Sequence, residues 1–136
     1  MREVLFRAKR LDNGEWIEGY YASKGKGTDL EKHFIVSSTF DSNTNAYPFY
    51  FTDIEVDPKT VCQWTGLTDK NNRKIFERDI LSHDEVGNIK VQFKNSEFLV
   101  HGITHNMFST LLSSVYRGCE IIGNIFDNPE LIGEQP

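Results

Sequence analysis

The chain has little cysteine. Two thiols, Cys62 and Cys119, stand in 136 residues. That is too few for a disulfide framework, and neither belongs to a C-x-x-C or similar metal-ligand spacing. Long apolar runs are missing as well. No stretch reaches the roughly 20 residues that cross a bilayer as a helix. Arg2, Glu3, Arg7, Lys9 and Arg10 put charge through the start of the chain, where a signal peptide needs an apolar segment. The expectation is a cytoplasmic protein with both thiols reduced and no membrane partner.

Positive charge is not in excess. Fifteen Lys and Arg against twenty Asp and Glu leave a net charge of -5. This argues against a sequence-indifferent nucleic-acid coat, whose affinity comes from neutralised phosphates, and leaves only local basic patches open. Nucleophile signatures are lacking too. No G-x-S-x-G occurs, and Cys62 in Val61-Cys62-Gln63-Trp64 reads as buried filler. Lys24-Gly25-Lys26-Gly27 lacks the phosphate-loop spacing and a helix after it, so it reads as a surface loop.

What is present is ring-rich and regularly punctuated. Ten Phe, five Tyr and two Trp suit pleated, half-buried strands. Turn signals recur at Asp12-Asn13-Gly14, Asp41-Ser42-Asn43, Asp57-Pro58, Asp69-Lys70-Asn71-Asn72, Val86-Gly87-Asn88 and Lys94-Asn95-Ser96. Short strands divided in this way indicate a mainly β fold. The residues predict a hairpin across Asp12-Asn13-Gly14, strands over 33–39 and 47–56, and 60–67 paired with 74–83. They also predict a half-buried strand over 89–94 with 98–102 as its partner, and a last strand over 120–126 stopped by Asn128-Pro129. Met107, Phe108, Leu111, Leu112 and Val115 sit at helical spacing before Gly118, which predicts one short helix over 106–115. Composition shifts near Asp57-Pro58, dividing a single domain into lobes of about 1–58 and 59–133.

Several clusters invite a functional reading, and each has a plainer one. His101 and His105 are four apart but lack a third ligand nearby, so no metal and no cofactor is expected. Asp53, Glu55 and Asp57 alternate on a strand and fit a solvated face better than a cation site. Lys70, Arg73, Lys74 and Arg78 are a candidate nucleic-acid contact if grouped beside stackable rings such as Trp64 or Phe76. Tyr47, Phe49, Tyr50 and Phe51 form the densest aromatic cluster. Rings on both faces of one strand need two partners, the second being either the other lobe or another subunit, so core packing and an interface weigh equally and these four are a candidate interface.

Two longer motifs carry lineage. The first runs Gln63-Trp64-Thr65-Gly66-Leu67, Asp69-Lys70-Asn71, Ile75-Phe76-Glu77 and Asp79-Ile80. The second is Glu120-Ile121-Ile122-Gly123-Asn124-Ile125-Phe126-Asp127-Asn128-Pro129-Glu130-Leu131. With Arg2-Glu3 and Phe6-Arg7-Ala8, they resemble the YopX-like family, small proteins encoded in phages and prophages of bacteria. The resemblance covers nearly the whole chain. It implies small, strongly bent sheets including an SH3-like barrel in the C-terminal half, often assembled as an oligomer. It implies no activity and carries over no catalytic residue. Asn72 and Arg78 stand where the family has glycine, which marks both as positions of unusual backbone.

The expectation is therefore a non-catalytic phage or prophage accessory protein, a binding or assembly module acting as a homo-oligomer with a phage or host protein as further partner. The alternative is a nucleic-acid-associated module using the basic cluster at 70–78.

Overall fold

A computed structural model describes the backbone of residues 4–40, 49–105 and 107–133, and the side chains of those residues outside 37–52. The chain divides into two compact units, Glu3–Gln63 and Trp64–Pro136.

In the first unit, β1 (Phe6–Lys9) and β2 (Trp16–Lys24) form the expected hairpin, with Lys9 opposite Trp16. Gly14 takes the left-handed backbone that its loop needs. The long β2 serves two neighbours. Residues 16–19 pair with β1, and residues 20–24 pair with β3 (Lys32–Phe40), which in turn pairs with β4 (Phe49–Glu55). Gly19 marks the changeover, because a Cβ there would meet the Val36 carbonyl and the Ile35 side chain. Ala8, Ile35 and Val56 are buried together, with Phe6, Ile17 and Val61 packed around them. Alternation along β1 and β2 sends Ala8 and Ile17 to this core and Arg7, Lys9 and Trp16 to the other face. There the Arg7 guanidinium lies 4.6 Å from the Trp16 ring centre.

Strand β5 (Cys62–Thr68) continues from one unit into the other. Cys62 and Gln63 pair with β1, and the remainder pairs with β6 (Lys74–Phe76). In the second unit, β7 (Asp79–His83), β8 (Gly87–Lys94), β9 (Glu97–Gly102), β10 (Ser109–Leu111) and β11 (Cys119–Asn124) form an antiparallel sheet in the order β10-β9-β8-β7-β11. The β8–β9 hairpin turns at Asn95 and Ser96, both at positive φ, the backbone a two-residue connection favours. Ile75, Leu81, Ile89, Val91, Val100, Leu112 and Cys119 form the core of this unit.

Four expectations are corrected. The five-stranded sheet is open, with β10 and β11 as its edges, so no closed barrel is present among the described residues. The helix over 106–115 is absent. That segment is the short strand β10 followed by two single-turn 3-10 helices, Leu112–Ser114 and Tyr116–Gly118. Thr110 and Leu111 find cross-strand partners in Val100 and Leu99, Leu112 is fully buried, and Phe108 and Val115 pack half-buried against the same core. The spacing that looked helical belongs to a strand and two turns. Third, 74–83 is two strands rather than one. Arg78 has φ 67°, and the Asp79 carboxylate accepts the Phe76 N–H at 2.8 Å, which fixes a tight turn between β6 and β7. The last strand also stops earlier than its proline, at Asn124.

Asn72 has φ 65°, as the glycine of the family pattern implies. Asn72→Gly removes a Cβ from a left-handed position but adds freedom to the unfolded chain. It should be neutral or stabilising by at most roughly 0.4–1 kcal/mol. Thermal melting of the variant checks this, and a clear loss of stability would show the turn to be wrongly read.

Candidate functional site

The two sequence motifs converge in the second unit around one carboxylate. Asp69 ends β5 at the turn into β6, and its side chain has 0% exposure. Its Oδ1 accepts the N–H groups of Asn71 and Arg73, both at 2.9 Å. Its Oδ2 accepts the Ile121 N–H at 3.0 Å, from β11, 52 residues away in sequence. Arg73 completes the joint. One guanidinium nitrogen donates to the Ile121 carbonyl at 2.7 Å and lies 3.4 Å from Asp69 Oδ2. The Lys70 N–H donates to the Cys119 carbonyl at 2.9 Å, and the Asn71 carboxamide reaches Glu120 at 3.3 Å. Burial by itself would raise the Asp69 pKa. The N–H donors of Ile121, Arg73 and Asn71 and the Arg73 charge outweigh it, so the carboxyl is held below its ordinary value.

The other motif residues also hold backbone. Thr65 Oγ1 donates to the Ile75 carbonyl at 2.8 Å and accepts the Leu67 N–H at 3.2 Å. Trp64 Nε1 donates to the Leu67 carbonyl at 3.0 Å, and Gly66 takes φ 85° in the irregular stretch of β5 between them. Asn124 Oδ1 accepts the N–H groups of Phe126 and Asp127 at 3.0 and 2.9 Å. Asn128 folds back so that its Oδ1 accepts the Asn124 N–H at 3.2 Å, occupying the space a Cβ on Gly123 would need.

A comparison with known protein families matches residues 5–133 to the family described as YopX protein. The chain belongs to the YopX family. Among solved structures, this YopX chain is similar to the crystal structure of protein EF1440 from Enterococcus faecalis. The TM-score is 0.52 at 24% identity, covering 97% of this chain and 99% of that one, a likeness of fold alone. No curated protein matches.

The candidate residues fall as follows. Lys70 lies 3.9 Å from Glu120, and Arg73 is engaged at β11. The Lys74 ammonium sits 5.7 Å above the Trp64 ring and the Arg78 guanidinium 6.0 Å above that of Phe126. Arg78 lines a groove of about 260 Å³ with Glu77, Lys90, Phe93 and Ile132. Tyr47 lies outside the described residues. Phe49, Tyr50 and Phe51 lie on β4, opposite Phe40, Thr39 and Ser38, and their side chains are outside the described ones. Of the three alternating acids, Asp53 faces Lys24 at 3.8 Å, while Asp57 lies past the end of β4 and caps the 3-10 turn Pro58–Thr60. Among the described residues no three His, Cys, Asp or Glu side chains form a metal-binding group. Sequence reading did not single out Glu31, His33 and Tyr21, which the first unit brings into a line of hydrogen bonds. The register of β2 on β3 creates that line, and residues 2 to 12 apart on two strands and the loop between them give no signal by spacing.

The Asp69 joint has a pH signature. Its folded pKa is depressed, so the stabilisation it gives is complete above the unfolded carboxylate value of 3.8 and is lost as pH falls through the folded value. Asp69→Asn leaves N–H donors of Asn71, Arg73 and Ile121 poorly satisfied and should cost on the order of 3 kcal/mol near neutral pH. Acid melts of the two proteins should converge as the wild-type carboxyl protonates. A gap that persists unchanged into strong acid would contradict this account.

Proposed function

We propose that this protein is a phage or prophage accessory protein that acts as a non-catalytic β-sheet binding or assembly module, in the bacterial cytoplasm and as a homo-oligomer. One observation carries the reading. The polar side chains that define the family motifs, Thr65, Asp69, Asp79, Asn124 and Asn128, point at the chain's own backbone. What such residues maintain is a shape, and a maintained shape serves recognition. The sheet of the second unit supports the assembly part. Its two edge strands carry Leu111 at 40% and Ile122 at 36% exposure, and Phe93 is 42% exposed beside Phe98. Exposed apolar side chains on edge strands favour contact with another chain, through side chains rather than backbone at β11, whose 119–121 groups are engaged by the 69–73 turn.

A second reading, a nucleic-acid-associated module, draws on Lys74 over Trp64 and Arg78 over Phe126. Salt-dependent binding of single-stranded DNA or RNA that weakens in Lys74→Ala and Arg78→Ala separates it from the first.

The test of the first reading is sedimentation or light scattering over a wide concentration range, on wild type, Phe49→Ser, Phe51→Ser and Ile122→Lys. Burying one Phe at an interface contributes on the order of 1.5–3 kcal/mol, so loss of one should shift the assembly midpoint by at least about tenfold. Wild type is expected to self-associate. A wild type monomeric at every concentration overturns the oligomer. Disruption by Ile122→Lys alone places the contact on the β11 edge instead of the 47–51 cluster.

A further inference from the structure

The glycine loop after β2 positions three side chains of the first unit in a row. Gly25 and Gly27 are both at positive φ, and Thr28 Oγ1 donates to the Gly25 carbonyl at 2.6 Å. This turns Glu31 inward, so that its Oε1 accepts the Gly27 N–H at 2.9 Å. The other carboxylate oxygen lies 2.8 Å from His33 Nε2. At the far side of the imidazole, His33 Nδ1 lies 2.5 Å from the Tyr21 hydroxyl.

The order fixes the protons. The Gly27 N–H first, and then His33, hold the Glu31 carboxyl below its ordinary pKa, so it accepts only. His33 Nε2 therefore carries the hydrogen and Nδ1 presents its lone pair to the phenol. Packing holds the geometry. The Tyr21 and His33 rings are nearly parallel, 10° apart at 5.8 Å, and Phe6 lies 5.7 Å from the Tyr21 ring. Tyr21 as a residue remains 36% exposed. Carboxylate, imidazole and hydroxyl in this order make up the arrangement that activates oxygen nucleophiles on unrelated folds. Lys26 lies close enough to Glu31 to act on its charge and adds a cation beside the row, which suits an anionic reagent, while the β2–β3 register places Lys24 and Lys32 on the opposite face of the strands.

We propose that Tyr21 is an activated acceptor site for phosphoryl-type group transfer, with His33 as its base and Glu31 as the group that orients His33. In the step, the Tyr21 oxygen attacks the tetrahedral centre of a phosphoryl donor. A new O–P bond forms, and the bond to the leaving group breaks with its electron pair. The phenol proton passes to His33 Nδ1, and the imidazolium is held by Glu31. The site takes up a group once, so a protein that works by shape gains a point of covalent modification.

The same row could serve only to brace the loop 25–31 against β2. Tyr20, the neighbouring residue, is 60% exposed and stands outside the row, so it separates the two roles. An aryl sulfonyl fluoride supplies a tetrahedral sulfur centre with fluoride as leaving group. Its rate of attachment to Tyr21 and Tyr20 is read by peptide mass spectrometry of the native protein. Tyr21 is expected to react on the order of tenfold faster than Tyr20 despite its lower exposure. His33→Gln should lower the Tyr21 rate by about as much and leave the Tyr20 rate alone. Glu31→Gln, which keeps an acceptor for His33 but removes the charge, should lower it by a smaller factor and serves if His33→Gln does not fold. A Tyr20 rate equal to or above that of Tyr21, or a Tyr21 rate indifferent to both substitutions, overturns the proposal.

Discussion

Asp69 is the group on which the second unit depends, because its carboxylate ties a local turn to a strand more than fifty residues on. Two of its partners, the Asn71 and Arg73 N–H groups, lie within the β5–β6 turn, and the third, the Ile121 N–H, lies in β11. A carboxylate removed from water is costly unless its oxygens are satisfied. Here the turn itself satisfies Oδ1, and placing the turn against β11 satisfies Oδ2. The requirement fixes the register of that contact in a way that apolar packing alone, which is not directional, does not. Arg73 reinforces it from the exposed side through the Ile121 carbonyl. Burial also raises the nearby Cys119 thiol to about 11, with the Asp69 charge as a second cause, so this cysteine is filler rather than nucleophile.

The same logic runs through the other residues of the two motifs. Asp79 closes the turn that breaks 74–83 into two strands, and Asn124 with Asn128 ends β11 and folds the chain into its last turn. Each is a polar side chain standing in for a missing backbone partner at a point where a strand must stop or change direction. A protein whose motif residues are used in this way is specified by where its strands end. That explains how membership of the YopX family can be read over residues 5–133 while the motifs themselves state no reaction.

Much of the fold was legible from the residues. Alternation at Ile89 and Val91 and the Asn95-Ser96 turn located the β8–β9 hairpin, because period-two burial and turn chemistry are local properties, while Phe93, next in the alternation, is exposed. The glycine-like character of Asn72 and Arg78 was implied by the family resemblance, and both have positive φ. The failures have a common cause. Met107 to Val115 has helical spacing, yet β9 offers Thr110 and Leu111 a strand partner, a tertiary fact that periodicity does not contain. The division of 74–83 depends on the Asp79 side chain, and the sheet stops at β11 because the 69–73 turn, rather than another strand, takes its outer backbone groups. Neither the Asp69 joint nor the Glu31–His33–Tyr21 row is visible in spacing, since each is created by register between separate strands.

The central claim is that the turn at 69–73 and strand β11 open as one unit because Asp69 binds them. Native-state hydrogen exchange of individual amides measures this most directly, since an amide's protection reports the free energy of the opening that exposes it. The account predicts that the N–H groups of Asn71, Arg73 and Ile121 exchange with a common opening free energy, close to that of the core amides of Leu81 and Ile89. Rapid exchange at Asn71 and Arg73 while Ile121 stays protected would show that turn and strand move independently, and would contradict it.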